Sequence, residues 1–317
     1  MTLFSRWTAR LTAWQQPALN VDALPAGLVL GGVILASPIG RGTTATVYAG
    51  TDTASAAARA VKVWRPGAGS VEQLQAARAG FLREAGRTQL LDHPGIVRVH
   101  GSGTQHGLSY IVSELFAGGS LARYTVPRHL LPEHLVLDIA ARLAEALAHA
   151  HRHGIVHRDV KPSNVLFDVA TRRAALSDFG IARAPDAQAS RSGVLLGSPV
   201  YMAPELLAGR SASAASDCYA LAVLTYELLA GRAPFAAPSM GALLRAVAQA
   251  PPPSLAAQRP QWPPAVAARL DRWFETILAK DPALRPADGL AWAALARAVA
   301  ADAAPWLDSA ANATNPL

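Results

Sequence analysis

Cysteine is almost missing from this 317-residue chain: Cys218 stands alone, which excludes an internal disulfide framework and fits a reducing compartment. No Cys/His array has the spacing of a structural zinc site. Charge is sparse, at 16% of residues against 51% apolar, so a sizeable buried core is expected and extensive disorder is not. Long apolar runs are missing too. The one stretch that a hydropathy scan would flag, residues 23–36, holds Pro25 and three glycines. It falls short of the roughly 20 residues that span a bilayer. It reads as the approach to a first β-strand, and a cytoplasmic protein with no integral membrane segment is expected.

Lysine is nearly as scarce. Only Lys62, Lys161 and Lys280 occur, although the formal net charge is +7 and the pI about 10.1. The positive charge is almost all arginine, scattered along the chain and not gathered into an arm or stripe, so a nucleic-acid partner is not expected. A chain that otherwise writes its cations as arginine has kept lysine at 62 and 161, where the argument below needs a compact ammonium.

What is present divides into two styles. Residues 29–116 read as short strands (47–49, 60–64, 97–99, 110–113) with one helix over 71–91. Gly118-Gly119 breaks that pattern. From there Val136, Ile139, Ala140, Leu143 and Leu147 recur at helical spacing, as do Leu270, Trp273, Phe274, Ile277 and Leu278. Residues 219–229 are apolar nearly all round, which argues a helix in the middle of its layer. The fold class expected is α+β, a small β-rich lobe followed by a larger, mainly helical one.

Gly40-Arg41-Gly42-Thr43-Thr44-Ala45-Thr46-Val47 lies at the end of one strand and the start of another. Glycines let a backbone approach phosphate oxygens and offer them N–H groups, although a plain hairpin would look the same. Fifteen residues after Val47 stands Lys62, within Ala60-Val61-Lys62-Val63. A lysine inside an apolar strand needs partners for its charge, and a polyphosphate and a carboxylate would supply them. Glu84 on the following helix could be that carboxylate; taken alone, a solvated helix face is the better explanation. The strongest segment is His157-Arg158-Asp159-Val160-Lys161-Pro162-Ser163-Asn164, with Asp178-Phe179-Gly180 following. Phosphoryl transfer to an alcohol needs a carboxylate to orient the hydroxyl and take its proton, as Asp159 can. It needs oxygen ligands for magnesium, as Asn164 and Asp178 provide, and a mobile cation near the transferring group, as Lys161 does.

These motifs, in this order and spacing, resemble the eukaryotic-like serine/threonine protein kinases of bacteria, over residues 29 to about 300. The resemblance implies a bilobal kinase fold with an N-terminal extension (1–28), an ATP-binding N-lobe (29–116), a catalytic C-lobe (117–302) and a tail (303–317). It implies an ATP-dependent enzyme using Mg2+, or Mn2+ in its place, on serine and threonine in protein substrates, with autophosphorylation and a cognate phosphatase. Gly40 and Gly42, with Arg41 between them, would cover the phosphates. Lys62 would bind the α- and β-phosphates and Glu84 would hold Lys62. Asp159 would be the catalytic base, Lys161 would stabilise the γ-phosphate, and Asn164 and Asp178 would bind the metal. Adenine would stack on Val47, Ala60 and Leu166, with its edge on the backbone of Glu114 and Phe116. Ala203-Pro204-Glu205 matches the end of the activation segment, Arg285 its partner, and Asp217 the aspartate that braces the catalytic loop. Lys161, two residues after Asp159, is the serine/threonine pattern. A pseudokinase that scaffolds partners is the rival reading; a small-molecule phosphotransferase is disfavoured by Lys161 and the Ala-Pro-Glu segment.

Other features weigh less. The third glycine of the phosphate loop is Ala45. His149 and His153 are four apart on a helix, with no third ligand in sight. Phe4, Trp7, Leu11 and Trp14 form an amphipathic stripe that packs on the kinase body or docks elsewhere. Prolines 251–253 read as a stiff loop. The activation segment, 178–205, contains no threonine. Arg158 beside Asp159 leads us to expect that phosphate on Ser190 or Ser192 pairs with it and orders the segment. Phosphopeptide mapping of active protein checks this: one of the two serines should carry phosphate, and neither being modified would remove the idea.

Overall fold

Strands dominate the first third because β-branched and aromatic residues alternate there between glycine-bearing turns. A computed structural model describes residues 19–180 and 199–313, with side chains described as far as 303. The chain divides into two compact units: Met1–Leu82 with His100–Leu115, and Arg83–Val99 with Phe116–Leu317. The sequence-based strip over residues 1–18 and the activation-segment serines Ser190, Ser192 and Ser198 lie outside the described residues.

Unit 1 is built on a six-stranded sheet of order β1-β2-β3-β4-β6-β5. Its strands are β1 (Val29–Leu30), β2 (Val33–Arg41), β3 (Ala45–Asp52), β4 (Ala58–Trp64), β5 (Val99–Gln105) and β6 (Leu108–Glu114). The pairs β2–β3, β3–β4 and β4–β6 are antiparallel. One face carries the core of Leu30, Val33, Leu35, Tyr48, Val61, Val63, Leu108 and Val112. Val21 and Leu24, from the segment ahead of β1, complete it. Stretch 23–36, expected as the approach to one strand, therefore holds a turn, β1 and the start of β2. Helix α1 (Val71–Thr88) begins in this unit and ends in the other; its expected end at residue 91 is three residues long.

Unit 2 is mainly helical. Helix α2 (Glu133–Arg152) packs on α4 (Ala214–Ala230) and on α8 (Gly289–Ala313). Around them lie α3 (Pro204–Leu207), α5 (Met240–Gln249), α6 (Leu255–Gln258) and α7 (Pro264–Ile277). The all-round apolar stretch of 219–229 is the central helix α4, buried along most of its length. It starts at a capping box between Ser213 and Ser216 and stops at Gly231, whose φ of 74° suits a left-handed cap. Cys218 sits in this helix, and burial pushes its thiol up to about 12. A small sheet, β7 (Gly119–Ser120), β8 (Val165–Asp168) and β9 (Arg173–Leu176), carries the segments that flank the candidate site. The strand expected over 97–99 is split in two. Ile96 bridges Leu176 and the Val97 N–H donates to the Leu176 carbonyl at 2.9 Å, while β5 proper starts only at Val99. The α+β class, with a β-rich part followed by a helical part, is as expected.

One buried ion pair fastens α3 to the segment before α8. Arg285 Nη1 and Nη2 donate to Glu205 Oε1 and Oε2 at 2.7 and 2.8 Å, with the arginine side chain fully buried. The remaining guanidinium donors meet the carbonyls of Ala279, Ala215 and Lys280, and the group stacks on Tyr219 at 4.8 Å. Every donor is satisfied, which a buried guanidinium requires. Arg285→Met strands a buried carboxylate and should lower stability by about 3–5 kcal/mol in urea unfolding, whereas adding Glu205→Met to it should recover most of the loss. A single variant within about 1 kcal/mol of the parent would show the pair to be incidental.

Candidate functional site

Unit 2 gathers the charged residues of the 157–164 segment around one turn. A 3-10 turn at Pro162–Asn164 bends the chain back so that Asn164 faces Asp159. Asn164 Nδ2 donates to the Asp159 carbonyl at 2.8 Å and to its Oδ2 at 2.9 Å. Lys161 Nζ reaches the same Oδ2 at 2.7 Å. Both donors converge on one carboxylate oxygen, and no bond to Oδ1 is seen among the described residues. Ser120 of β7 supports the turn by donating to the Pro162 carbonyl at 2.9 Å. Asp159 and Lys161 are partly exposed, each side chain at 22%, so both are open to a solute.

The segment's backbone is held by Asp217 in the first turn of α4. Its Oδ2 accepts the His157 N–H at 2.7 Å and its Oδ1 the Arg158 N–H at 2.9 Å. His151 Nε2, from the end of α2, lies 2.9 Å from Oδ2. These contacts hold Arg158 at φ 68°, a conformation that non-glycine residues avoid unless the surroundings impose it. His157 is fully buried, and desolvation lowers its pKa, so it stays neutral. Its Nδ1 accepts the Asp159 N–H at 3.3 Å, which leaves the proton on Nε2 to donate to the Ser177 carbonyl at 3.0 Å. The ring also packs on Phe179 at 4.4 Å. One neutral imidazole thus ties the Asp159 segment to the residues on either side of Asp178.

Asp178 follows β9 with φ at 62°. The chain around it is bonded to the turn: the Ser177 N–H donates to the Asn164 carbonyl at 2.9 Å and the Gly180 N–H to the His157 carbonyl at 3.0 Å. Gly180 suits its place in the fold. Its φ is 57°, and a Cβ there would lie 2.8 Å from Glu84 Oε2. Glu84 therefore stands against this stretch, from the part of α1 in unit 2. Phe116 lies beneath the Arg173 guanidinium at 5.1 Å, and Leu166 pairs with Ser120 across β7–β8.

Unit 1 carries the other sequence-predicted residues in one strip of sheet. Gly40 pairs with Val47, Val47 with Lys62, Ala60 with Ser113, and Arg59 with Glu114. Lys62 is half-exposed between the buried Val61 and Val63. Lys62 and Glu84 fall in different units, and each is described within its own. Gly40 and Gly42 differ in kind from Gly180. Neither has a positive φ, and a Cβ would sit at 3.9 Å from Val47 Cβ and 3.6 Å from the Ala45 carbonyl, ordinary contact distances. Packing does not demand glycine at either position. The Arg41 guanidinium is turned to the Asp22 carbonyl at 2.9 Å.

Metal binding can be tested on the donor set. Among the described residues no group of three or more His, Cys, Asp or Glu could hold an ion. His149 and His153 instead stack at 4.5 Å, with His93 against His149 at 5.3 Å. Asn164 spends its amide N–H groups on Asp159, which turns its carbonyl oxygen the other way. That oxygen and the Asp178 carboxylate are hard donors, too few for a protein cage but suited to an ion completed by phosphate oxygens and water.

The chain was compared with known proteins. A family model described as protein kinase domain matches residues 34–299. The serine/threonine-protein kinase PknJ of Mycobacterium tuberculosis is 35% identical over 269 residues, 83% of this chain and 44% of that protein. PknL of the same organism is 33% identical over 284 residues, covering 89% and 69%. PknA of Mycobacterium bovis is 36% identical over 231 residues, covering 71% and 52%. The chain spans about half the length of PknJ and PknA.

Sequence reasoning placed Asp159, Lys161, Asn164 and Asp217 but not His157 or His151, whose roles rest on contacts across 20 and 66 residues. The Asp217 arrangement predicts a specific failure. In Asp217→Asn an NH2 group must replace one carboxylate oxygen, and either amide orientation sets it against a backbone N–H. Stability should fall by about 1–3 kcal/mol. Hydrogen exchange at the His157 and Arg158 amides should quicken; unchanged protection at both would refute the bracing role.

Proposed function

The chain belongs to the protein kinase domain family, and on that premise we propose that it transfers the γ-phosphate of ATP to serine and threonine hydroxyls of proteins, its own activation segment included. The observation that carries this is the convergence of Lys161 and Asn164 on one oxygen of Asp159. Their two donors hold the carboxylate in one rotamer. Oδ1 is left to accept the proton of an incoming hydroxyl while that oxygen attacks phosphorus. The Lys161 ammonium sits within reach of the charge that builds on the transferring group. His157, neutral and bonded at both nitrogens, keeps this segment in register with Asp178.

Kinases of this family use ATP and a divalent metal. Asn164 Oδ1 and the Asp178 carboxylate are the groups that would hold the ion, magnesium or manganese by their hardness, and when bound it neutralises charge on the phosphate oxygens. In unit 1, Gly40, Gly42 and the backbone at Arg41 cover the phosphates, Lys62 binds the α- and β-phosphates, and Val47 and Ala60 face the adenine. The backbone of Glu114 and of Phe116, with Leu166, completes the purine contacts. The bareness of Gly40 and Gly42, unexplained by packing, supports this. Protein substrates and a phosphatase that reverses the modification are the partners this chemistry implies. The lone buried thiol of Cys218 is in keeping with a cytoplasmic location; no helix among the described residues is long and apolar enough to cross a membrane.

The test is labelling with γ-labelled ATP and magnesium, with and without a generic basic protein, beside Asp159→Asn. The parent should label serine or threonine, and the variant should be slower by about 10²–10⁴. ATP binding without label in either protein would favour a scaffold that retains the fold and has lost the chemistry.

A further inference from the structure

Ahead of β1, residues 19–24 form a turn with no strand or helix, yet they are pinned to the sheet more firmly than their irregularity suggests. Val21 and Leu24 are buried in the unit 1 core at 8% and 7% exposure. The fully buried Tyr48 clasps both: its hydroxyl donates to the Val21 carbonyl at 2.8 Å and accepts the Leu24 N–H at 3.1 Å. Tyr48 and Thr46 share one face of β3, as residues two apart must. Asp22 lies between the two buried anchors and is thereby presented to Thr46.

Asp22 is the hub of a polar knot around the glycine-bearing turn. Its Oδ1 accepts from the Thr46 hydroxyl at 2.6 Å and from Arg65 Nη2. Arg65 then ties three further points: Nη2 donates to Thr46 Oγ1 at 2.9 Å, Nη1 to the Gly42 carbonyl at 2.8 Å, and its backbone N–H to the Thr44 carbonyl at 2.7 Å. On the other side of the turn, Arg41 donates to the Asp22 carbonyl at 2.9 Å. β3 is therefore fastened to the Asp22 carboxylate through Thr46, the turn is fastened to it through Arg65, and β2 is held to the Asp22 backbone carbonyl through Arg41. What this arrangement supplies is a single conformation for a stretch that glycine would otherwise leave loose.

We propose that Asp22 and Arg65 are positioning residues for the nucleotide phosphates: through Thr46 and the Gly42 and Thr44 carbonyls they hold the 40–46 turn in its phosphate-ready shape before ATP arrives. The inference rests on the reading of that turn as the phosphate loop. Neither residue touches the nucleotide. Each lowers the ordering that binding must otherwise bring about, which is the general route by which preorganisation raises affinity. The segment before β1 thereby becomes a handle on the loop, and displacement of residues 19–24 would slacken the grip on phosphate without altering the chemistry at Asp159.

The experiment uses the full chain and the variants Asp22→Asn, Arg65→Met and their combination. Thr46→Val is the shape-preserving fourth, in case the charged changes disturb folding. Two quantities are read: hydrogen exchange across residues 40–48 without nucleotide, and dissociation constants for ATP and for adenosine. Exchange at Gly42, whose N–H donates to the Ala45 carbonyl, should quicken. ATP affinity should fall about five- to tenfold, the loss of one charge-assisted hydrogen bond, with adenosine within about twofold. The double variant should be no worse than either single one, since both break one network. Unchanged exchange and ATP affinity overturn the proposal, and so does equal weakening of adenosine and ATP, which would mark general damage. A parent protein that binds no ATP although its loop exchange responds to the variants overturns the phosphate-loop reading itself, an outcome distinct from the first two.

Discussion

Two backbone N–H groups and an imidazole converge on the Asp217 carboxylate, and the course of the 157–164 segment descends from that meeting. The carboxylate is rigid because α4 is buried along most of its length and begins at a reciprocal serine cap. It sets the backbone of His157 and Arg158, and so the direction in which Asp159 leaves the chain. His157 passes the constraint on through its ring, with one nitrogen on the Asp159 amide and the other on the Ser177 carbonyl. Left-handed backbone at Arg158 and Asp178 stores strain that only such an over-determined frame would tolerate.

Glycines in this chain separate into those the fold needs and those it does not. Gly180 is favoured as glycine, because its positive φ strains a side chain and a Cβ would push on the Glu84 carboxylate. Gly118 is equally constrained, since a Cβ would fall 2.0 Å from the Phe167 carbonyl oxygen. Gly40 and Gly42 are free of both constraints. A pattern such as Gly-x-Gly cannot distinguish these cases, whereas the space around each Cα can.

Much of the architecture was legible because hydrophobic period reports burial. The stripes at 136–147 and 270–278 lie in α2 and at the end of α7, and the all-apolar 219–229 in the most enclosed helix. Boundaries were less legible. The expected strand at 97–99 is divided because residue 96 bridges β9 while residue 99 opens β5, a choice made by partners far along the chain. Within the site, residues whose chemistry needs a fixed spacing stood out: Asp159, Lys161 and Asn164. His157 was legible only as part of a pattern, and its bridging role required knowing that Ser177 lies beneath it. Asp22, Thr46, Tyr48 and Arg65 carried no signal at all. Their contacts span 19 to 43 residues and repeat at no period, so nothing local marks them. The histidines at 149 and 153, four apart on a helix, read as lacking a third ligand. His149 packs between His93 and His153.

The burial of Cys218 has a practical side. As the chain's lone thiol, enclosed in the central helix and pushed up to about 12, it is chemically silent while α4 is in place. Thiol reagents can reach it only in molecules whose helical core has opened. The rate at which the native protein is alkylated is therefore a clock for that opening, built into the molecule and free of any background from a second cysteine.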